Sequence, residues 1–234
     1  MAYCQIVSVL PIIIMFGFFL VKVLDPALYL QLVQEDSILE WSQFVLLILI
    51  GMSYIQIYHR ERKLIYSYIS IVFFFWGLEE ISWFQSLLMF ETPNWFLEHN
   101  KQQELNLHNL SPIHLMLPMI YFFTGCSLSF GNIVLELLDF FGIKLSSRNL
   151  LNNFLPNRRY IFYFLPVVLV YGIFIFISPH NGGFLIWRDQ EPVELLLILG
   201  IFSHIQSING LKMSCRFWPG SIVRINRRRN NTPA

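Results

Sequence analysis

Charged residues are scarce in this chain. Only 13% of its 234 residues are Asp, Glu, Lys or Arg, whereas 55% are hydrophobic and the mean hydropathy is +0.54. A soluble domain carries about 25% charged residues to keep its surface in water. The composition therefore excludes an ordinary soluble domain and predicts an integral membrane protein whose main partner is the lipid bilayer, with no nucleic-acid partner.

Cysteine patterns and common catalytic motifs are also missing. Cys4, Cys126 and Cys215 lie far apart, so the sequence offers neither a disulfide framework nor a CxxC metal pair. It contains no P-loop, no GxSxG elbow and no HExxH helix. Residues 1–5 lack a basic stretch, and no A-x-A site follows the next apolar run, so we expect the first span to stay as an anchor.

Long uncharged runs recur along the chain. A helix needs roughly 20 such residues to cross a bilayer. We predict an all-α, polytopic transmembrane bundle of about six spans, at 6–24, 37–58, 64–90, 112–138, 160–178 and 191–209. Residues 1–210 would form this transmembrane domain, and residues 211–234 a basic cytoplasmic tail.

The two signs of charge are separated along the chain. With six spans, thirteen of the sixteen Lys and Arg residues fall in the tail or in the loops after spans two and four, all on one side. Twelve of the fifteen acids fall on the other side. Because loops rich in Lys and Arg stay in the cytoplasm, we predict a multi-pass protein of the plasma (inner) membrane with both termini cytoplasmic.

Two adjacent glutamates, Glu79 and Glu80, lie inside the predicted third span. An acid at the centre of a span costs about 2.5–3.5 kcal/mol on insertion scales, and intramembrane acids usually mark functional sites. We therefore predict that Glu79 and Glu80 are catalytic residues, and that Glu80 is also a metal ligand. A hydrogen-bonded pair that only fixes helix packing is the alternative.

Glu40, His108 and Glu194 are predicted to lie at the same depth as the glutamate pair. His108 precedes span four and is a candidate ligand or general base, whereas Glu40 and Glu194 begin spans two and six. Helix capping is an alternative role for both acids. Together Glu40, Glu80, His108 and Glu194 predict a divalent-metal site: zinc, iron or manganese would suit His with carboxylates, and calcium or magnesium would suit carboxylates with Asn.

A polar connection separates predicted spans three and four. Its stretch Thr92-Pro93-Asn94-Trp95-Phe96 predicts the start of a short helix lying in the membrane interface. Such a helix would either anchor the connection or cover the acidic site as a lid. The tail sequence NRRRNN predicts contact with anionic lipid or serves only as a topology signal.

Three runs of this region resemble a known signature. EEISWFQ at 79–85, ETPNWF at 91–96 and NKQQELNLHNL at 100–110 resemble the EEISWGQ…TP…NLHNL pattern of an uncharacterised family of bacterial polytopic membrane proteins. The acidic opening of that family is similar to Glu35-Asp36 followed by Glu40, and Phe84 stands where the family has glycine. The resemblance covers about residues 35–110. It implies a polytopic membrane fold but does not imply any particular activity.

Three functions are compatible with these features. The first is a metal-dependent, membrane-embedded enzyme that acts at the outer leaflet on a lipid or a lipid-linked substrate. The second is a non-catalytic membrane subunit that binds a partner or a cation at its acidic outer mouth. The third is a proton- or cation-coupled carrier, against which stands the lack of internal repeats and broken helices. The sequence leaves protein partners open.

Overall fold

The computed structural model describes residues 2–34, 36–143, 145, 148–177 and 184–209. The predicted tail, 211–234, lies outside these residues. Within them the chain is helical without a β-strand, and Asn100 and Leu110 form an isolated antiparallel bridge. The helices are α1 (Ala2–Leu24), α2 (Pro26–Val33), α3 (Ile38–Glu61), α4 (Leu64–Glu80), α5 (Gln85–Leu88), α6 (Asn94–His99), α7 (Ser111–Phe140), α8 (Arg148–Phe154), α9 (Ile161–Phe176) and α10 (Gln190–Asn209).

The prediction of an all-α protein with several helices long and apolar enough to cross a membrane is confirmed for the described residues. Among the described residues, four helical stretches are long and apolar enough to cross a bilayer: Pro26–Glu61, Ser111–Phe140, Arg158–Phe176 and Trp187–Asn209. A fifth is obtained if the bent pair Leu64–Glu80 and Ser82–Leu88 counts as one span. The apolar stretch Ser8–Leu24 of α1 is shorter than the other four. The structure thus supports four or five spans by length and composition.

The third span differs from the continuous helix predicted for 64–90. Helix α4 ends at Glu80, and the following helical turns leave its axis at 62°. Ser82, Trp83 and Phe84 all have positive φ angles, of 44°, 57° and 63°. Left-handed backbone cannot continue a right-handed helix, so the break follows directly from these three residues.

Helix α10 lies at the centre of the packing. It contacts α3 on one side and α9 on the other, while α4 packs on α3 and α7 packs on α9. Gly200 permits the close approach to α9, because a Cβ atom there would lie 2.6 Å from Cβ of Tyr163. Its neighbours Leu196, Leu197 and Ile198 are fully buried. This central position explains why polar side chains on α10 are shielded from the surroundings of the bundle.

The two ends of the bundle differ in charge. One end includes the α3–α4 connection and helix α8, where Asn153 Nδ2 donates a 2.9 Å hydrogen bond to Tyr66 Oη. Arg62 and Lys63 lie in that connection, and Arg158 pairs with Glu136 nearby. The opposite end holds the start of α3, the end of α4 and the start of α10, and it carries most of the buried acids. The predicted separation of charge is therefore visible between the two ends.

Candidate functional site

Acids from three helices converge at one end of the bundle, called the acidic end below. Gln43 Nε2 donates a 3.2 Å hydrogen bond to the carbonyl of Glu191, which joins the second turn of α3 to the first turn of α10. Glu80, at the end of α4, is close enough to Glu191 and Glu194 to interact with both electrostatically. Residues that are far apart in sequence are thus neighbours at this end.

Hydrogen bonds to Glu79 join the connection before α7 to the end of α4. This glutamate is buried, its Oε1 accepts from Trp83 Nε1 at 2.7 Å, and its Oε2 accepts from the backbone N–H groups of Leu107 and His108 at 2.6 and 3.0 Å. A carboxylate that accepts several hydrogen bonds is held firmly in one orientation. Glu79 is therefore placed to position its neighbours rather than to contact a substrate.

His108 is one of those neighbours. Its Nδ1 lies 3.5 Å from Glu79 Oε2, and about a third of its side chain (32%) is exposed. It also interacts electrostatically with Glu191 and with His114. A carboxylate beside Nδ1 favours the tautomer with the proton on that nitrogen and leaves Nε2 as the acceptor. The exposed part of the ring makes His108 the predicted residue best placed to meet a ligand.

Glu80 and Glu194 are bound by uncharged donors. Trp76 Nε1 donates to Glu80 Oε1 at 2.6 Å, one helical turn away. Tyr121 Oη donates to Glu194 Oε2 at 3.0 Å, and Tyr171 Oη donates to Glu194 Oε1. The two tyrosine rings stack with their centroids 4.9 Å apart. Of the two roles open to Glu194, the structure shows the inward-facing one.

The carboxylate of Glu40 has different hydrogen-bond partners from that of Glu194. Its Oε2 accepts a 2.7 Å hydrogen bond from the backbone N–H of Asp36, just before α3, while Ser37 Oγ accepts from Leu39 N at 3.3 Å. This is the pattern of a helix cap. Glu40 still interacts electrostatically with Glu80 and Glu191, so it belongs to the edge of the cluster.

Glu191 is the residue that sequence reasoning undervalued. It interacts electrostatically with Glu40, Glu80, Glu194 and His108, which places it at the centre of the cluster. Arg188 Nη1 lies 3.8 Å from its Oε1. From the first turns of α10 the sequence predicted Glu194, and Glu191 was not among the candidate site residues. The signal available in the sequence was the second acid, Glu194, three residues later on the same helix face.

A second polar network holds the break in place. Ser82 Oγ donates to Glu104 Oε2 at 2.5 Å and accepts from Asn106 Nδ2 at 2.9 Å. Gln85 Oε1 accepts from the backbone N–H of Leu105 at 2.7 Å. These residues connect the left-handed segment to residues 104–106. The sequence did not predict this network, because Ser82 and Gln85 read there as part of a continuous apolar span.

The four predicted metal ligands are not arranged around one ion. Within the described residues, no group of three or more His, Cys, Asp or Glu side chains is placed to hold a metal ion. Glu80, His108 and Glu194 instead bind Trp76, Glu79 and two tyrosines, respectively. The arrangement offers hydrogen-bonded carboxyl groups and one exposed imidazole, which suits proton transfer better than multidentate metal binding. The divalent-metal site stays a prediction.

A cavity of about 310 Å³ lies beside the break. It is lined by Ser82, Gln85, Ser86, Met89, Phe90, Glu91 and Glu104. Helix α6 follows a few residues later, so the short helix expected from Thr92-Pro93 onward is present, and its Trp95 is exposed. The cavity and the acidic cluster adjoin, since Glu104 also interacts electrostatically with Glu40.

No family model, curated protein or solved structure matches this chain.

Proposed function

We propose that the protein is a membrane-embedded enzyme that performs acid–base chemistry on a lipid or a lipid-linked substrate, with His108 as the proton-transferring residue. The Glu79–His108 pair carries this proposal. Glu79 orients the imidazole through Nδ1, and Nε2 takes a proton from the substrate or from water and returns it later in the reaction. General acid–base catalysis of this kind contributes about 10²–10⁴-fold to a rate.

The surroundings of His108 support this role. Four donors approach Glu79, which fixes the carboxylate without competing for the exposed side of the ring. Glu191, in the first turn of α10, lies close enough to His108 to interact with it electrostatically. A site at the end of the bundle can be reached both by a polar headgroup and by the apolar chains of a lipid. We therefore favour a substrate that is itself a membrane component.

The test compares membrane lipids in cells that produce the wild-type chain, His108→Ala or His99→Ala. His99 is the matched control, because it lies in the same connection, is exposed and binds the carbonyl of Trp95 instead of an acid. We expect the wild type and His99→Ala to alter the amount of at least one lipid or lipid-linked species relative to cells without the protein. With His108→Ala this alteration should be smaller by about 100-fold or more.

Equal lipid changes with wild type and His108→Ala, at equal protein levels, would overturn the proposal. So would the absence of any change with the wild type. Elemental analysis of the purified protein tests the metal prediction separately: a stoichiometric metal that is lost in Glu80→Gln and His108→Ala would make the enzyme metal-dependent.

The proposal includes the finer topology. We propose six spans, counting α1 and the broken third span, with both termini in the cytoplasm and the acidic end at the outer face of the plasma membrane. The support is the charge separation between the two ends, since Lys and Arg concentrate at cytoplasmic loops. Membership of the bacterial family with the EEISW(G/F)Q…TP…NLHNL signature is likewise proposed on its three matching runs.

Proton or cation binding by the acidic cluster is a second candidate function. Its support is Gln43, which is fully buried and whose Oε1 lacks a hydrogen-bond partner within the described residues. Its Nε2 binds the Glu191 carbonyl, so the amide cannot be flipped to satisfy Oε1. An unpaired oxygen beside several acids is a ready ligand for a cation. If Glu194→Gln abolishes the lipid change that the wild type produces while His108→Ala does not, this candidate replaces the first.

A further inference from the structure

The cavity beside the break has a lining with a distinct chemical character. Glu91 and Glu104 supply carboxylates, and Ser82, Ser86 and Gln85 supply neutral hydrogen-bonding groups. Ser86 Oγ also donates to Asp36 Oδ2 at 2.6 Å, which brings a third acid close to the lining. Acceptor oxygens therefore outnumber donors around this space, and a cationic donor is the complementary ligand.

Met89 gives the cavity an apolar, exposed rim, because it belongs to the lining and is 90% exposed. Leu87 and Leu88 precede it directly along the chain and are 63% and 66% exposed. Trp95 on α6 adds an exposed aromatic ring to the same connection. Aromatic and apolar side chains of this kind lie at the level of the lipid headgroups. A ligand with an apolar portion would contact this rim while its polar end occupies the cavity.

We propose that this cavity binds the primary ammonium headgroup of a membrane amphiphile such as a phosphatidylethanolamine. An ammonium group has three N–H donors and no acceptor, so it can bind Glu91, Glu104 and a neutral oxygen at once. This site is distinct from the acid–base step at His108, and it does not require that step to occur.

The lining discriminates between the common headgroups. A quaternary choline group cannot donate hydrogen bonds and is recognised by several aromatic rings, whereas Phe90 is the one aromatic residue in this lining. Phosphatidylglycerol carries the same phosphate as phosphatidylethanolamine but has no ammonium group to pair with Glu91 and Glu104. A primary ammonium is thus favoured over both alternatives.

The test measures binding of a short-chain phosphatidylethanolamine to the purified full-length protein in an uncharged detergent. Phosphatidylcholine and phosphatidylglycerol with the same chains serve as competitors, and soluble phosphoethanolamine tests whether the apolar part contributes. We expect saturable binding of the ethanolamine lipid that is about tenfold tighter than binding of either other lipid or of the soluble headgroup.

Variants connect the binding to the cavity. Glu91→Gln and Glu104→Gln should each weaken binding about tenfold, whereas Glu98→Gln, an exposed acid on α6 outside the lining, should leave it unchanged. Because Glu104 also binds Ser82, thermal unfolding must show a folded protein, and the exposed Glu91 provides an independent variant. Equal binding of all three lipids, binding unaffected by both variants, or a soluble headgroup that binds as tightly as the lipid would overturn the proposal.

Discussion

At the scale of single residues, the three left-handed residues after α4 are the most costly feature. Each non-glycine residue in this conformation costs roughly 1–2 kcal/mol. The cost is offset by hydrogen bonds that form because the chain turns here: Trp83 donates to Glu79, and Ser82 donates to Glu104. Phe84 contributes through its ring, whose centroid lies 5.6 Å from that of Phe44 and 6.4 Å from that of Trp41. Strain of this kind clusters at functional sites.

Phe84 allows this strain to be measured. Phe84→Ala removes the ring contacts and keeps the strained backbone, whereas Phe84→Gly removes both. We expect both variants to be less stable than the wild type, and the glycine variant to be more stable than the alanine variant by about 1 kcal/mol. Thermal unfolding in detergent gives the order. Inside an ordinary right-handed helix the alanine variant would be more stable than the glycine variant. That order of stabilities would show that residue 84 is not left-handed.

At the scale of elements, a largely buried ion pair joins the end of α1 to the turn before α10, in addition to the apolar packing of α1 on its neighbours. Lys22 Nζ donates to both carboxylate oxygens of Asp189, at 2.6 and 2.5 Å. Tyr29 Oη and the backbone N–H of Ile186 donate to the same carboxylate, at 2.5 and 2.8 Å. The pair thus joins the end of α1, helix α2 and the turn before α10.

Replacing one partner of this ion pair should destabilise the protein more than replacing both. Lys22→Met leaves a buried carboxylate without its cation, which costs about 3–5 kcal/mol. We expect Lys22→Met to lower the thermal unfolding midpoint strongly, and Lys22→Met combined with Asp189→Asn to recover part of the loss. The measurement is thermal unfolding in detergent, with Lys63→Met as the control because Lys63 is exposed. An unchanged midpoint for Lys22→Met would contradict the role given to this pair.

At the scale of the whole molecule, the number of spans depends on α1 and on the broken third span. With six spans the N-terminus lies on the side of the basic loops, and with five it lies on the acidic side. Helix α1 is 23 residues long, about the length that a membrane-crossing helix needs, and its end is anchored through Lys22 to Asp189. The geometry of that anchor agrees with a helix that ends at the acidic end.

Labelling from outside intact cells distinguishes the two topologies. Single cysteines are introduced in a cysteine-free background as Glu98→Cys, Arg62→Cys and an extra N-terminal cysteine, and are then treated with a membrane-impermeant maleimide. We expect labelling of Glu98→Cys alone in intact cells and labelling of all three after lysis, because basic loops stay in the cytoplasm. Labelling of the N-terminal cysteine in intact cells would show that α1 does not cross the membrane.

The sequence predicted features that depend on local chemistry. Apolar length indicated the helices, and the acids of separate spans indicated the cluster. The break after Glu80 could not be predicted, since the run Ile81–Phe90 contains neither proline nor glycine and its turn depends on hydrogen bonds to residues 104–108. The central place of Glu191 and the tyrosine partners of Glu194 likewise depend on how α7, α9 and α10 pack.

The hydrogen bonds of the break also constrain which changes in chain length the protein can accept. Residues 79–85 are joined to residues 104–108 by five separate pairs of hydrogen-bond partners, so an insertion or deletion within either stretch would misalign several bonds together. Residues 94–99 make none of these bonds, and most of them are exposed. Natural variation in loop length, and any inserted tag or epitope, should therefore be accommodated between the two stretches and not inside them.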